Sequence, residues 1–127
     1  MRRKLTVKDL PWPGVELSQN GRSHWAKKAQ LVKSARQQAC FKARAALGRR
    51  LTRPVGEKRL TVQLVVTPPD RRRRDETNIT ERCKAYYDGV ADAIGVDDCF
   101  FHHREQLWQP AKRPGSITIE VEWEEEE

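Results

Sequence analysis

The sequence predicts an α+β fold: a small mixed β-sheet with two helices packed on one face, in the order β-α-β-α-β-β. Three observations carry this. Leu60, Val62, Leu64 and Val66 alternate with Thr61, Gln63, Val65 and Thr67, the period of a strand with one buried face. Ile117, Ile119, Val121 and Trp123 alternate in the same way with Thr118, Glu120 and Glu122. Two longer segments, beginning near Ser23 and Thr77, carry apolar residues at helical spacing. Helices covering one face of a sheet are the simplest layering of such elements. With 127 residues and a hydrophobic fraction of 37%, the chain is expected to build one domain, 1–127, around one core.

In chain order, Lys4 to Val7 alternates and predicts a short strand, which Leu10-Pro11-Trp12-Pro13-Gly14 is expected to stop. Val15 to Arg22 is expected to be loop. Ser23 is the expected N-cap of a long helix closed by Gly48. Trp25, Ala29, Val32, Ala35, Ala39, Cys40, Ala43, Ala46 and Leu47 share one face of that helix, and its alanines permit a close approach to whatever it covers. Arg49 to Lys58, with Pro54 and Gly56, predicts a loop. Pro68-Pro69 ends the central strand.

A second helix is expected from Thr77, as N-cap, to Ile94, with Gly95 after it. Its core stripe is Ile79, Cys83, Tyr86, Val90 and Ile94, with Thr77, Glu81, Lys84 and Asp88 as a polar line on the other side. A mid-helix glycine costs about 1 kcal/mol relative to alanine, so Gly89 predicts the close approach of another backbone. Phe101 to Gln109 predicts a strand, Pro110 to Gly115 a turn, and the last two strands a hairpin. Glu124 to Glu127 are expected to be a solvated tail.

The formal net charge is +7, but it is unevenly placed. The last eight residues hold six of the 18 acidic groups and none of the 25 basic ones. The remainder carries 25 basic against 12 acidic groups, net +13. Such a body favours a polyanionic partner such as nucleic acid. Three widely spaced cysteines, Cys40, Cys83 and Cys99, argue against a disulfide framework and for a reducing compartment. Cys99 with His102 and His103 lacks a second ligand pair for zinc. No apolar run has the length of a signal sequence or a membrane span. No membrane partner is therefore expected, and the expected location is the cytoplasm.

Chemistry concentrates between Pro69 and Asn78. Four arginines, Arg71, Arg72, Arg73 and Arg74, run into Asp75 and Glu76, and a second acidic pair, Asp97-Asp98, follows the helix. Arginine suits phosphate, and clustered carboxylates suit Mg²⁺. The candidate ligands are Asp70, Asp75, Glu76, Asp97 and Asp98. An 18-residue helix is about 27 Å long. The two acidic clusters can therefore share a metal only if the chain folds back after Gly95, or if two subunits bring them together. Read without further context, the acids serve equally well as helix caps and as partners of the arginines.

The run Pro69 to Asp75, then Asn78, then Lys84 to Ile94, then Val96-Asp97-Asp98, resembles the RusA family, prophage-type Holliday-junction resolvases. Leu10 to Pro13, Glu16-Leu17-Ser18, Asn20, Arg22, His24 and Trp25 resemble members of it as well. The resemblance implies a small α/β homodimer that cuts four-way DNA junctions with Mg²⁺. It assigns Asp75, Lys84 and Asp98 to catalysis and places Arg74 just before the site. Asp75 and Asp98 would hold the metal, helped by Glu76 or Glu81, while Arg71, Arg72, Arg73 and Arg74 bind DNA. The chain departs from the family at Thr77, where the family has aspartate. That departure keeps a second reading open, a junction-binding protein that does not cut. A third, an RNA-binding or adaptor protein, lacks a recognisable aromatic stacking platform.

Overall fold

The structure, a computed structural model, describes residues 2–17, 25–48 and 59–125. Its elements are β1 (Arg2–Pro11), α1 (Trp25–Leu47), β2 (Leu60–Thr67), α2 (Glu76–Arg82), α3 (Lys84–Ile94), β3 (Phe101–His103), β4 (Leu107–Trp108) and β5 (Ser116–Glu124). The expected N-cap Ser23 lies outside the described residues, as do Asn20, Arg22, His24 and the loop expected at 49–58.

The sheet is mixed, in the order β1-β5-β2-β3, with β4 on the same edge of β2 as β3. β5 runs antiparallel to both β1 and β2, while β3 and β4 run parallel to β2. A parallel return needs a crossover, and α2 and α3 supply it between β2 and β3. Leu60, Val62, Leu64 and Val66 of β2 and Ile117, Ile119, Val121 and Trp123 of β5 are buried under the helices. The other face carries half-buried polar residues, such as Thr61, Gln63, Glu120 and Glu122. This is the one-sided sheet that the alternation predicts.

The fold class is as expected, but several details differ. The second helix is two helices. Cys83 breaks it (φ −90°, ψ 0°), its amide shared between the carbonyls of Ile79 and Thr80. Ile79 on α2 and Val90 on α3 are both buried in the core. Cys83 is itself fully buried, and burial pushes its thiol up to about 12. The N-cap of α2 is Asp75, not Thr77. The Asp75 carboxylate accepts the Thr77 amide at 2.8 Å.

The expected hairpin of the last two strands does not form. β4 stays on β2, and β5 crosses to the other side of β2. The physical cause is the 110–115 turn, which passes over the end of β2. The Lys112 amide donates to the Pro68 carbonyl at 2.8 Å. A Cβ on Gly115, whose φ is +84°, would lie 2.9 Å from Pro69 Cδ and 3.0 Å from its nitrogen. Only a glycine lets the two segments pass this closely.

β1 runs on to Pro11, beyond its expected end. A register shift between Val7 and Leu10 and a positive φ at Asp9 absorb the irregularity, and Lys42 of α1 binds the Asp9 carbonyl. β1 is an edge strand, the place in a sheet where proline is tolerated. Only Ala35, Ala39, Ala43 and Leu47 of the expected α1 stripe are buried; Trp25, Ala29, Val32 and Ala46 are exposed.

Gly89 behaves as expected. A Cβ there would sit 2.2 Å from the Arg36 carbonyl oxygen and 2.9 Å from the Ala39 Cβ. Two residues of the expected solvated tail are held instead. Glu124 ends β5 and Glu125 pairs with Arg3, while 126–127 lie outside the described residues. Arg2 pairs with Glu122 at 3.2 Å and Lys4 with Glu120 at 3.2 Å. The basic N-terminus and the acidic C-terminus therefore offset each other across β1 and β5.

Candidate functional site

α3 sets out its polar line in helical register. Lys84 and Asp88 lie one turn apart, and the Lys84 ammonium donates to Asp88 Oδ1 at 2.9 Å. After Gly95, which is left-handed (φ 71°) and closes α3 by donating to the Ala91 carbonyl, the chain folds back in a short 3₁₀ turn, Asp98–Phe100. That return brings Asp98 Oδ2 within 2.6 Å of the same ammonium. The fold-back carries Asp98 to Lys84 and Asp88 but does not bring it to Asp75, which opens on a different recess.

The two aspartates of the pair divide their tasks. Asp97 caps the turn, accepting the Cys99 amide at 2.9 Å, and Asp98 faces Lys84. The hydrogen bonds to Asp98 and then Asp88 raise the Lys84 pKa, and Lys84 in turn lowers that of Asp98. Both groups are charged at neutral pH.

Beside this trio, Glu81 and Thr77 line the same groove as Lys84 and Asp88. On its other flank, Asp88, Asp92, Asp97 and Asp98 line a polar recess whose wall is Arg36. Arg36 crosses from α1 to hold Asp92 in a two-bond pair at 2.6 and 2.8 Å. Asp75 opens on a separate recess with Arg73, Arg74, Asn78 and Arg82. The structure thus joins Lys84 to Asp88 and Asp98, sets Glu81 along the same groove as Lys84 and Asp88, and leaves Asp75 with the arginines. Glu76 is exposed, and its backbone carbonyl accepts Thr80 and Gln106.

The four arginines do not act alike. Arg74 turns inward, its side chain 15% exposed. It donates to the Asp70 carbonyl at 2.9 Å, the Arg72 carbonyl at 3.0 Å and Asp70 Oδ1 at 2.6 Å, and lies over the Trp12 ring at 5.2 Å. The Arg72 amide also donates to Asp70 Oδ1, at 3.0 Å. These bonds hold the Asp70 pKa low, the Arg72 amide most, then Arg74. Arg71, Arg72 and Arg73 project to solvent from the loop so formed.

Mg²⁺ takes one or two carboxylates and completes its shell with phosphate oxygens and water. Asp88 and Asp98, drawn to one ammonium, are a donor pair of that chemistry. Among the described residues no group of three or more His, Cys, Asp or Glu side chains is placed to hold a metal ion. The residues therefore fit Mg²⁺ only as an open, two-carboxylate site that needs a phosphate to complete it.

No family model matches the chain. A protein of Xylella fastidiosa (strain Temecula1), described as "Uncharacterized protein", is 38% identical over 112 residues, 88% of this chain and 72% of its own length. The chain belongs to the family of that protein. The relative's description carries no activity, so the site is read from its geometry.

Two participants were not among the sequence candidates. Asp88 was legible as the i+4 partner of Lys84. His103 was not: it meets Tyr87 edge-on at 4.9 Å between ring centroids, and burial is the main cause of its lowered pKa. Only the pairing of β3 with β2 puts it beside α3. Among the described residues, no helix is long and apolar enough to cross a membrane.

Proposed function

We propose that the chain is a RusA-like, Mg²⁺-dependent endodeoxyribonuclease that acts as a homodimer on four-way DNA junctions in the cytoplasm. The observation that carries the reading is the Lys84 ammonium held between Asp88 and Asp98 at 2.9 and 2.6 Å. A cation and two carboxylates converge there, next to a loop presenting three exposed arginines.

In this reading Arg71, Arg72 and Arg73 hold backbone phosphates and position the junction without reading bases. Asp98 and Asp88, with Glu81 nearby, would hold Mg²⁺, and Asp75 with Glu76 would stand at the arginine side of the bound strand. Bound there, Mg²⁺ would neutralise the scissile phosphate and activate water. Lys84 leaves its carboxylates for the phosphate and stabilises the charge that develops as water attacks phosphorus and the P–O bond breaks. A cleavage assay on synthetic four-way junctions tests this. Paired, Mg²⁺-dependent nicks are expected. Intact junctions under every divalent cation tried would sink it.

The second reading, binding without cutting, is favoured by Thr77, a neutral residue on the groove beside Glu81 and Lys84. Thr77→Asp should raise cleavage or lower the Mg²⁺ concentration required. If Glu81 replaces the missing acid, Glu81→Gln should abolish cleavage and Thr77→Asp should rescue it.

A further inference from the structure

The 110–115 turn carries two exposed cations, Lys112 and Arg113, for which the sequence suggested no role. The turn is pinned to the start of the arginine loop. The Lys112 amide donates to the Pro68 carbonyl at 2.8 Å, and the Gly115 amide closes the turn on the Lys112 carbonyl at 2.8 Å. Gly115 passes so close to Pro69 that a Cβ would lie 2.9 Å from its Cδ. Asp70 follows Pro69 directly, and Asp70 with Arg74 sets the loop that presents Arg71, Arg72 and Arg73. Two loops far apart in sequence thus leave one corner of the sheet as a single unit.

Among the described residues, most of the cations at this corner carry no ion pair. None of Arg71, Arg73, Lys112 and Arg113 has an ion pair with a described residue, and Arg72 has only a 3.7 Å approach to Asp70. The contrast with β1 is direct, since Arg2, Arg3 and Lys4 all meet glutamates. Five like charges on one rigid corner repel one another and lower their energy by meeting a polyanion.

We infer that Lys112 and Arg113 form, with Arg71, Arg72 and Arg73, one two-loop platform that binds the phosphate backbone of DNA. The inference rests on the proposed DNA partner, but not on cleavage. Rigid attachment to Pro68 and Pro69 keeps the second loop at a set spacing from the first, so the two loops contact different phosphates of one bound segment.

The test is a salt titration of four-way junction binding, read by fluorescence anisotropy in EDTA. Lys112→Ala with Arg113→Ala should make the log–log salt dependence shallower by roughly 1.8, at about 0.9 for each phosphate no longer neutralised. Lys27→Ala with Lys33→Ala removes the same charge from exposed positions on α1 and should leave the slope unchanged. Lys112→Gln with Arg113→Gln, checked for an unaltered melting temperature, guards against misfolding. A parental slope in the turn variants, with the parent protein binding normally, overturns the inference and leaves the nuclease reading standing. An equal flattening of the slope in the α1 control overturns it too, because net charge then accounts for the effect. A shallower slope in the turn variants alone, in a protein that cuts no junction, upholds the platform and sinks the nuclease. A parent protein that binds no DNA overturns both.

Discussion

The two sides of α3 follow different rules. One side is sealed against α1 by volume. Gly89 lies under the Arg36 carbonyl and Ala39, with Val90 and Ala93 fully buried next to it. The other side is an edge held by charge, where Lys84, with its side chain 63% exposed, reaches Asp88 and Asp98. Exposed ion pairs contribute little to stability, about 0–1 kcal/mol, whereas an overpacked interior costs more. The seam therefore sets whether the protein folds, and the edge is free to serve chemistry.

The sharpest way to break this contrast is Lys84→Ala. If the edge serves cleavage, junction cutting should fall by about 10²–10³, the reduction typical of removing a group that stabilises developing charge. The melting temperature should hardly move. A large drop in thermal stability with cleavage intact would reverse the roles assigned to the two sides.

On the sealed side, Gly89→Ala should destabilise by about 1–3 kcal/mol, despite alanine's higher helix propensity. Denaturant unfolding reads this directly. An unchanged midpoint would mean that α1 and α3 are not in backbone contact.

Arg74→Ala probes a place where the two rules meet, since this cation is largely enclosed. Removing its hydrogen bonds and its stacking on Trp12 should cost about 1–2 kcal/mol and loosen the loop that presents Arg71 to Arg73. Arg74→Lys should recover only part, because an ammonium cannot reproduce the forked contacts to Asp70 and Arg72. Full recovery by lysine would reduce the role of Arg74 to that of a point charge.

The smallest effect is acid sensitivity. Asp70 and Asp98 have folded-state pKa values below their ordinary ones, Asp70 mainly through the Arg72 amide and Asp98 mainly through Lys84. Their contribution is therefore fully present above the ordinary carboxylate pKa of about 4. It is lost as pH falls through the lowered values. Asp98→Asn should flatten the acid limb of a stability–pH curve, slightly because the site is exposed. A steeper limb would contradict the Lys84–Asp98 pair.

The same split decides how much of the molecule could be read in advance. Alternation at Leu60 to Val66 and at Ile117 to Trp123 declares a buried face whatever lies across it, because side chains of a strand point alternately to its two sides. Gly89 declared its contact because an interior helical glycine has a local cost that something must offset. Lys84 and Asp88 were legible from spacing alone.

By itself, then, the sequence determined the strands β2 and β5, the helical stretches, a close backbone contact at Gly89 and the arginine loop, since each is written in local periodicity or residue chemistry, whereas the single strand expected over Phe101 to Gln109 is the two short strands β3 and β4. Only the tertiary structure decided the break at Cys83, which no helix-breaking residue marks. It also decided that β5 leaves β4 for the far side of β2, and that Asp98 returns to Lys84 while Asp75 remains with the arginines. These are partnerships across long separations in the chain, and their energies depend on the distance between groups in space, which sequence spacing does not encode.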